Sequence, residues 1–188
     1  MKLKKVLLNK KRMGQSRGKL KGFTLIELLI AIAIIGIISG MGYYTYQKQL
    51  QRERITNHVH SFSSDIYQAK TKSLMQNIPY GLKMIPPDSY TIFYIDTMGV
   101  QHDVIGRKFK YVSFGSLPGV SSCPDGSAID MSDGINFLSN TIIFLPIGTP
   151  LSNGCVVIKR PPYLGAVVIT PSGDIQSFIY IKGNWIKK

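Results

Sequence analysis

Glu27 is the one charged residue in a 20-residue apolar run, FTLIELLIAIAIIGIISGMG, at residues 23–42. A carboxylate at the centre of a membrane helix costs about 2.5–3.5 kcal/mol on insertion scales, and less near the interface. It becomes favourable when a cation meets it in low dielectric. The other residues able to do chemistry form no such focus. His58 and His60 are two apart, so on a helix they point to different faces. His102 adjoins Asp103, a pair best suited to solvent. Asp125, Asp130 and Asp133 stand near Gly126 and Gly134, but not at the alternate-residue spacing of a calcium loop; turn chemistry suits them better. The chain has no glycine-rich phosphate loop, no Ser-His-Asp signature and no H-E-x-x-H. These absences point away from an enzyme, and no cofactor or metal site is expected.

Twenty apolar residues in a helix span about 30 Å, the thickness of a bilayer's hydrocarbon core. Residues 1–22 carry nine basic residues and no acid, which predicts a cytoplasmic N-terminus and a C-terminal part beyond the membrane. A secretory signal peptide is one explanation, with Gly40-Met41-Gly42 as a small-x-small triplet, but the run exceeds the ~7–15 residues usual for its core. A plain signal anchor is another. Neither gives Glu27 a role.

Lys21-Gly22-Phe23-Thr24-Leu25-Ile26-Glu27-Leu28-Leu29 resembles the type IV prepilin processing motif, with Gly, Phe, Thr and Glu in register over about nine residues. In that family a membrane prepilin peptidase cuts after the glycine from the cytoplasmic side. The new N-terminal aromatic is then N-methylated. The glutamate neutralises the N-terminal amine of a neighbouring subunit during assembly. The resemblance therefore implies a cut between Gly22 and Phe23, methylation of Phe23, and an assembly role for Glu27. It implies partners as well: the peptidase, other pilins or pseudopilins met through the helix, and the inner membrane before assembly. A leader of 22 residues is long for the family, and Met13 offers a second start besides Met1.

Beyond the run, Ile55, Val59, Phe62, Ile66 and Ala69 follow 4-3-4-3 spacing, one stripe of an amphipathic helix. No proline interrupts until Pro79, so one helix is expected from about residue 23 to 76. Its first half, residues 23–46, lies in lipid or a filament core; residues 47–77 pack on a soluble domain, residues 78–188. That domain reads as β. Strands are expected at 80–85, 89–95, 100–105, 108–114, 142–145, 155–159, 166–169 and 175–181, with a long Gly/Ser/Asp/Pro loop at 115–140. The fold class is α+β, pilin-like, with a long N-terminal helix packed on antiparallel sheet. Ile143-Phe144-Leu145-Pro146-Ile147-Gly148, then Gly-Cys-Val-Val-Ile, then residues 166–173 resemble the tail of the GspH/FimT group of minor pseudopilins and minor pilins. That resemblance implies a subunit of a type II secretion pseudopilus or a type IV pilus.

The net charge of +13 raises nucleic acid as a partner. Most of it belongs to residues 1–22; the remaining 166 residues carry 14 basic against 10 acidic residues. Lys182, Lys187 and Lys188 are the candidate DNA contacts, with Tyr180 and Trp185 nearby for stacking. DNA-receptor members of the FimT group share a Gly-Arg-x-Arg element. Here the corresponding stretch is Gly173-Asp174-Ile175-Gln176, so DNA capture is the alternative function and not the leading one. Cys123 and Cys155 fall in the part placed outside the cytoplasm, where an even pair is expected to oxidise to a disulfide. Two buried free thiols are the other possibility.

Overall fold

A computed structural model describes residues 22–188, leaving aside the side chains at positions 41, 42 and 44. The leader expected at residues 1–22 lies outside the described residues apart from Gly22, as do both starts, Met1 and Met13. The first element is helix α1, Leu25–Gln76. It stops where Asn77 turns left-handed (φ 54°), two residues before Pro79. The chain divides into two compact units, one ending at Tyr43 and the other Tyr44–Lys188.

In the first unit, every side chain of α1 described up to Tyr43 is exposed, from Leu25 and Ile26 through Ile37 and Ile38. The second unit holds the core. Ile55, Val59, Phe62, Ile66 and Ala69, the stripe expected from spacing, are each at most 1% exposed. Nine strands follow: β1 (Tyr80–Ile85), β2 (Ser89–Ile95), β3 (Gln101–Lys108), β4 (Ser113–Phe114), β5 (Thr141–Phe144), β6 (Gly154–Arg160), β7 (Tyr163–Ile169), β8 (Ile175–Ile181) and β9 (Asn184–Lys187). They form two antiparallel sheets, ordered β3-β2-β1-β5 and β4-β6-β7-β8-β9.

The helix stripe packs with both sheets in one cluster. Leu82 and Ile92 come from the first sheet, Val156, Ile158, Val167 and Ile179 from the second. Gly165 of β7 explains how close the helix comes: a Cβ there would collide with the Cγ2 methyl of Val59. The second sheet is covered on its other face too. Cys155, Val157, Leu164, Ala166 and Val168 meet Val120, Cys123 and Ile129 of the 115–140 segment. Alternating side chains on a strand point to opposite faces, so a strand covered on both sides reads as a continuous apolar run, as Gly154-Cys155-Val156-Val157-Ile158 does. Residues 115–140 thus fold as a cover for the sheet, held by the indole N–H of Trp185 donating to the Ser122 carbonyl at 3.0 Å.

Two expectations shift. The strand expected at 108–114 shrinks to Ser113–Phe114, because Tyr111 adopts φ 73°, which no extended ladder accommodates. β9 was not expected; it completes a hairpin through Lys182 and Gly183, both left-handed (φ 50° and 90°), as a two-residue turn of this kind requires.

Candidate functional site

Residues 22–24, before α1, have no regular secondary structure, and Gly22 and Phe23 are both exposed, with Phe23 at 88%. A peptide bond in a helix is shielded by its own hydrogen bonds; the Gly22–Phe23 bond is not in one. The helix then begins with reciprocal capping. The Glu27 backbone N–H donates to Thr24 Oγ1 at 3.2 Å. In return the Thr24 N–H and hydroxyl both donate to Glu27 Oε2 at 2.9 Å. Thr at the cap and Glu three residues on satisfy two otherwise orphaned donors. Thr24 is therefore a positioning residue for Glu27. The signal was present in the sequence as T-x-x-E before an apolar run, but only the processing motif was read there. The result is a carboxylate fixed at the head of an exposed apolar helix, an acceptor for an incoming cation.

Cys123 and Cys155 form a disulfide with α-carbons 6.5 Å apart, both buried in the cluster between the 115–140 cover and the second sheet. The three aspartates of the cover are engaged locally: Asp125, Asp130 and Asp133 each accept from the backbone N–H two residues on, at 3.0, 2.8 and 2.9 Å. His58 stands half-buried with its ring edge-on to Phe109, and burial lowers its pKa. His102 pairs with Asp96 at 2.8 Å, not with its neighbour Asp103, and stacks on Tyr94. Asp65, 8% exposed, accepts from the Tyr90 hydroxyl at 2.6 Å and pairs with Arg107 at 2.9 Å. Burial beside that carboxylate pushes the Tyr90 phenol far up.

The candidate DNA-binding lysines separate. Lys182 sits at the β8–β9 turn and lines a hollow of about 480 Å³ with Lys48 and Arg52 of α1, Tyr163 and Tyr180. Lys188 lines an adjoining hollow with Arg52 and Glu53. Lys187 lines neither hollow; it pairs with Phe178 in the sheet. On the neighbouring flank, three cations converge on the exposed ring of Tyr111: Arg54 at 5.8 Å, Arg160 at 5.4 Å and Lys110 at 5.1 Å. Sequence spacing gave no sign of this group, because its members come from a helix, a loop and a strand end.

The prokaryotic N-terminal methylation motif matches residues 17–43. Over 44 residues the chain is 43% identical to prepilin peptidase-dependent protein D of Escherichia coli K12. The likeness lies in the N-terminal segment. The match to the curated relative spans 23% of this chain and 30% of the relative, less than a third of its length. Among solved structures, the chain is similar to the type IV minor pilin FimU of Pseudomonas aeruginosa, with a TM-score of 0.45 and 11% identity over 72% of this chain and 94% of FimU. It is similar too to the minor pseudopilin EpsH of the type II secretion system of Vibrio cholerae, with a TM-score of 0.48 and 9% identity over 67% of this chain and 94% of EpsH.

Proposed function

We propose that the chain is a minor pilin or minor pseudopilin, a non-enzymatic subunit that initiates or caps a periplasmic filament. Residues 1–22 are the leader, removed by prepilin peptidase between Gly22 and Phe23, and Phe23 is then methylated. Residues 23–46 hold the subunit in the inner membrane with its N-terminus cytoplasmic, and later enter the filament core. Residues 47–77 and 78–188 form the periplasmic body. The observation that carries this reading is the Thr24-capped carboxylate of Glu27 at the head of an exposed apolar helix. An unpaired carboxylate in lipid is costly, and the free amine of a neighbour's Phe23 is the cation a cut after Gly22 creates. Membrane insertion separates from assembly in the test. Glu27→Leu inserts and is cut, yet does not co-purify with sheared filaments or support secretion. Wild-type incorporation of Glu27→Leu contradicts the assembly role.

A further inference from the structure

Residues 109–112 form a small outward loop on the second unit. Phe109 and Val112 are buried at its ends, while Lys110 and Tyr111 between them are exposed. Tyr111 takes a left-handed backbone (φ 73°), which bulky side chains disfavour, and its ring stands 63% exposed. The loop is fixed from two sides. Arg160 at the end of β6 donates from Nη1 to the Tyr111 carbonyl at 2.8 Å and from Nε to Gln51 Oε1 of α1. The Lys110 carbonyl accepts from His58. Arg54, Arg160 and Lys110 then converge on the ring within 6 Å. Among the described residues, these three enter no ion pair with a carboxylate, whereas Arg107 and Lys108 are tied to Asp65 and Asp88. Other cations outside ion pairs stand elsewhere. Lys72 lies over Tyr80, about 27 Å along α1 from Arg54, and Lys83 is on β1 of the other sheet. The Tyr111 spot is therefore compact. Three positive charges around one exposed ring repel one another, and an anion relieves that repulsion. Exposed tyrosine and arginine are also the side chains that concentrate at the centres of protein–protein contacts.

The chain itself carries the matching charge. Residues 111–158 contain three carboxylates, Asp125, Asp130 and Asp133, and no Lys, Arg or His, in a protein of net charge +13. All three lie in the 115–140 cover. That cover packs against Cys155 and Val157 on one face of the second sheet, whereas Val156 and Ile158 of the same strand pack with α1 on the other. Asp125 and Asp130 are exposed, and their turn bonds all fall on Oδ1, which leaves Oδ2 for a second partner. The bonds from Ser132 hold the Asp130 carboxyl below its usual range, so it is charged. Arg54 stands on α1, so the basic spot and the acidic cover belong to opposite sides of one sheet, and they meet only between copies. We propose that the Tyr111 spot of one copy receives Asp125 and Asp130 of a second copy of this chain. The contact joins two different patches, so it is heterologous and lines bodies up in a row. Guanidinium and carboxylate match in charge and in bidentate geometry. Nucleic-acid phosphate is the competing anion; the compact spot and the complementary cover on the same chain favour the second copy.

The contact lies within the second unit and does not depend on the filament reading. Two positions serve for crosslinking: Ser113, paired with Lys159 just beyond the loop, and Met131, 60% exposed next to Asp130. Full chains carrying Ser113→Cys or Met131→Cys, with the native disulfide intact, are mixed in detergent and treated with a short bis-maleimide. A crosslinked pair from the mixture, and none from either variant alone, is the expected result. Adding Asp125→Asn/Asp130→Asn to the Met131→Cys chain abolishes the crosslink; asparagine keeps the turn bonds, so the cover stays folded. Arg54→Glu/Lys110→Glu in the Ser113→Cys chain abolishes it too, as does high salt, while Arg54→Lys/Lys110→Arg keeps it. No crosslink in the mixture, equal crosslinking of each variant with itself, or a crosslink unmoved by the Asn pair overturns the proposal. No crosslink, together with duplex DNA held by the wild-type chain and released by Arg54→Glu/Lys110→Glu, overturns it in favour of a nucleic-acid surface.

Discussion

The two halves of α1 both carry apolar side chains, yet those side chains meet opposite fates. Up to Tyr43 apolar residues occupy all sides, and Leu25, Ile26, Ile35 and Ile38 are all exposed. From Ile55 onward apolar residues keep to one stripe, and Phe62 and Ile66 are fully buried. A helix apolar all round has no polar face to give to water, so it needs lipid or neighbouring helices; a striped helix needs one partner surface, which its own chain supplies. Composition alone does not tell where an apolar residue is buried. Periodicity does.

The comparison breaks most sharply at single core residues. Phe62 touches Tyr90, Phe109 and Phe114 edge-on within 6 Å. Phe62→Ala is expected to cost about 3–5 kcal/mol of stability in the second unit, whereas Ile34→Ala changes it by less than about 0.5 kcal/mol. Denaturant melts of the two variants in detergent check this. Similar losses for both remove the distinction.

The disulfide sharpens the comparison from the other side, since it pins the cover that packs on the second sheet. The closed loop has a sequence separation of 32. Cys123→Ser/Cys155→Ser is expected to lower stability by roughly 3–4 kcal/mol on chain-entropy grounds. Proteolysis should then start within residues 115–140 while β1 and β2 stay protected. An unchanged melting midpoint for the double variant contradicts the pinning role.

The smallest effect concerns the flank of the striped half. Burial against Phe109 holds the His58 pKa below its ordinary value of about 6.5. The folded state therefore binds that proton less well than the unfolded state does. Stability is at its full value above about pH 6.5 and falls as pH drops below it. His58→Gln should flatten that part of the pH–stability curve measured by denaturant melts.

The sequence made the striped helix legible because five residues repeat the helical period, and several strands legible because β-branched runs end in turn residues. It made the shorter elements less so. Residues 184–187 hold one pairing partner on one side and too few residues for a pattern. The 108–114 stretch looks like strand until Tyr111, whose left-handed backbone (φ 73°) is not marked by its residue type, since tyrosine favours extended conformations. In the N-terminal motif Glu27 stood out by its charge, and the same four residues carried the Thr24 cap that fixes its geometry. The cations around Tyr111 were not legible, because residues 54, 110 and 160 meet only through the fold.

The central claim is that the exposed half of α1 begins at a processed, charged terminus. Intact-mass and peptide mass spectrometry of the protein recovered from cells that hold prepilin peptidase tests it directly. The expected result is an N-terminus at Phe23 carrying one methyl group, with Gly22→Leu leaving the chain uncut. An N-terminus at Met41 or Tyr43, or an uncut wild-type chain in those cells, contradicts it.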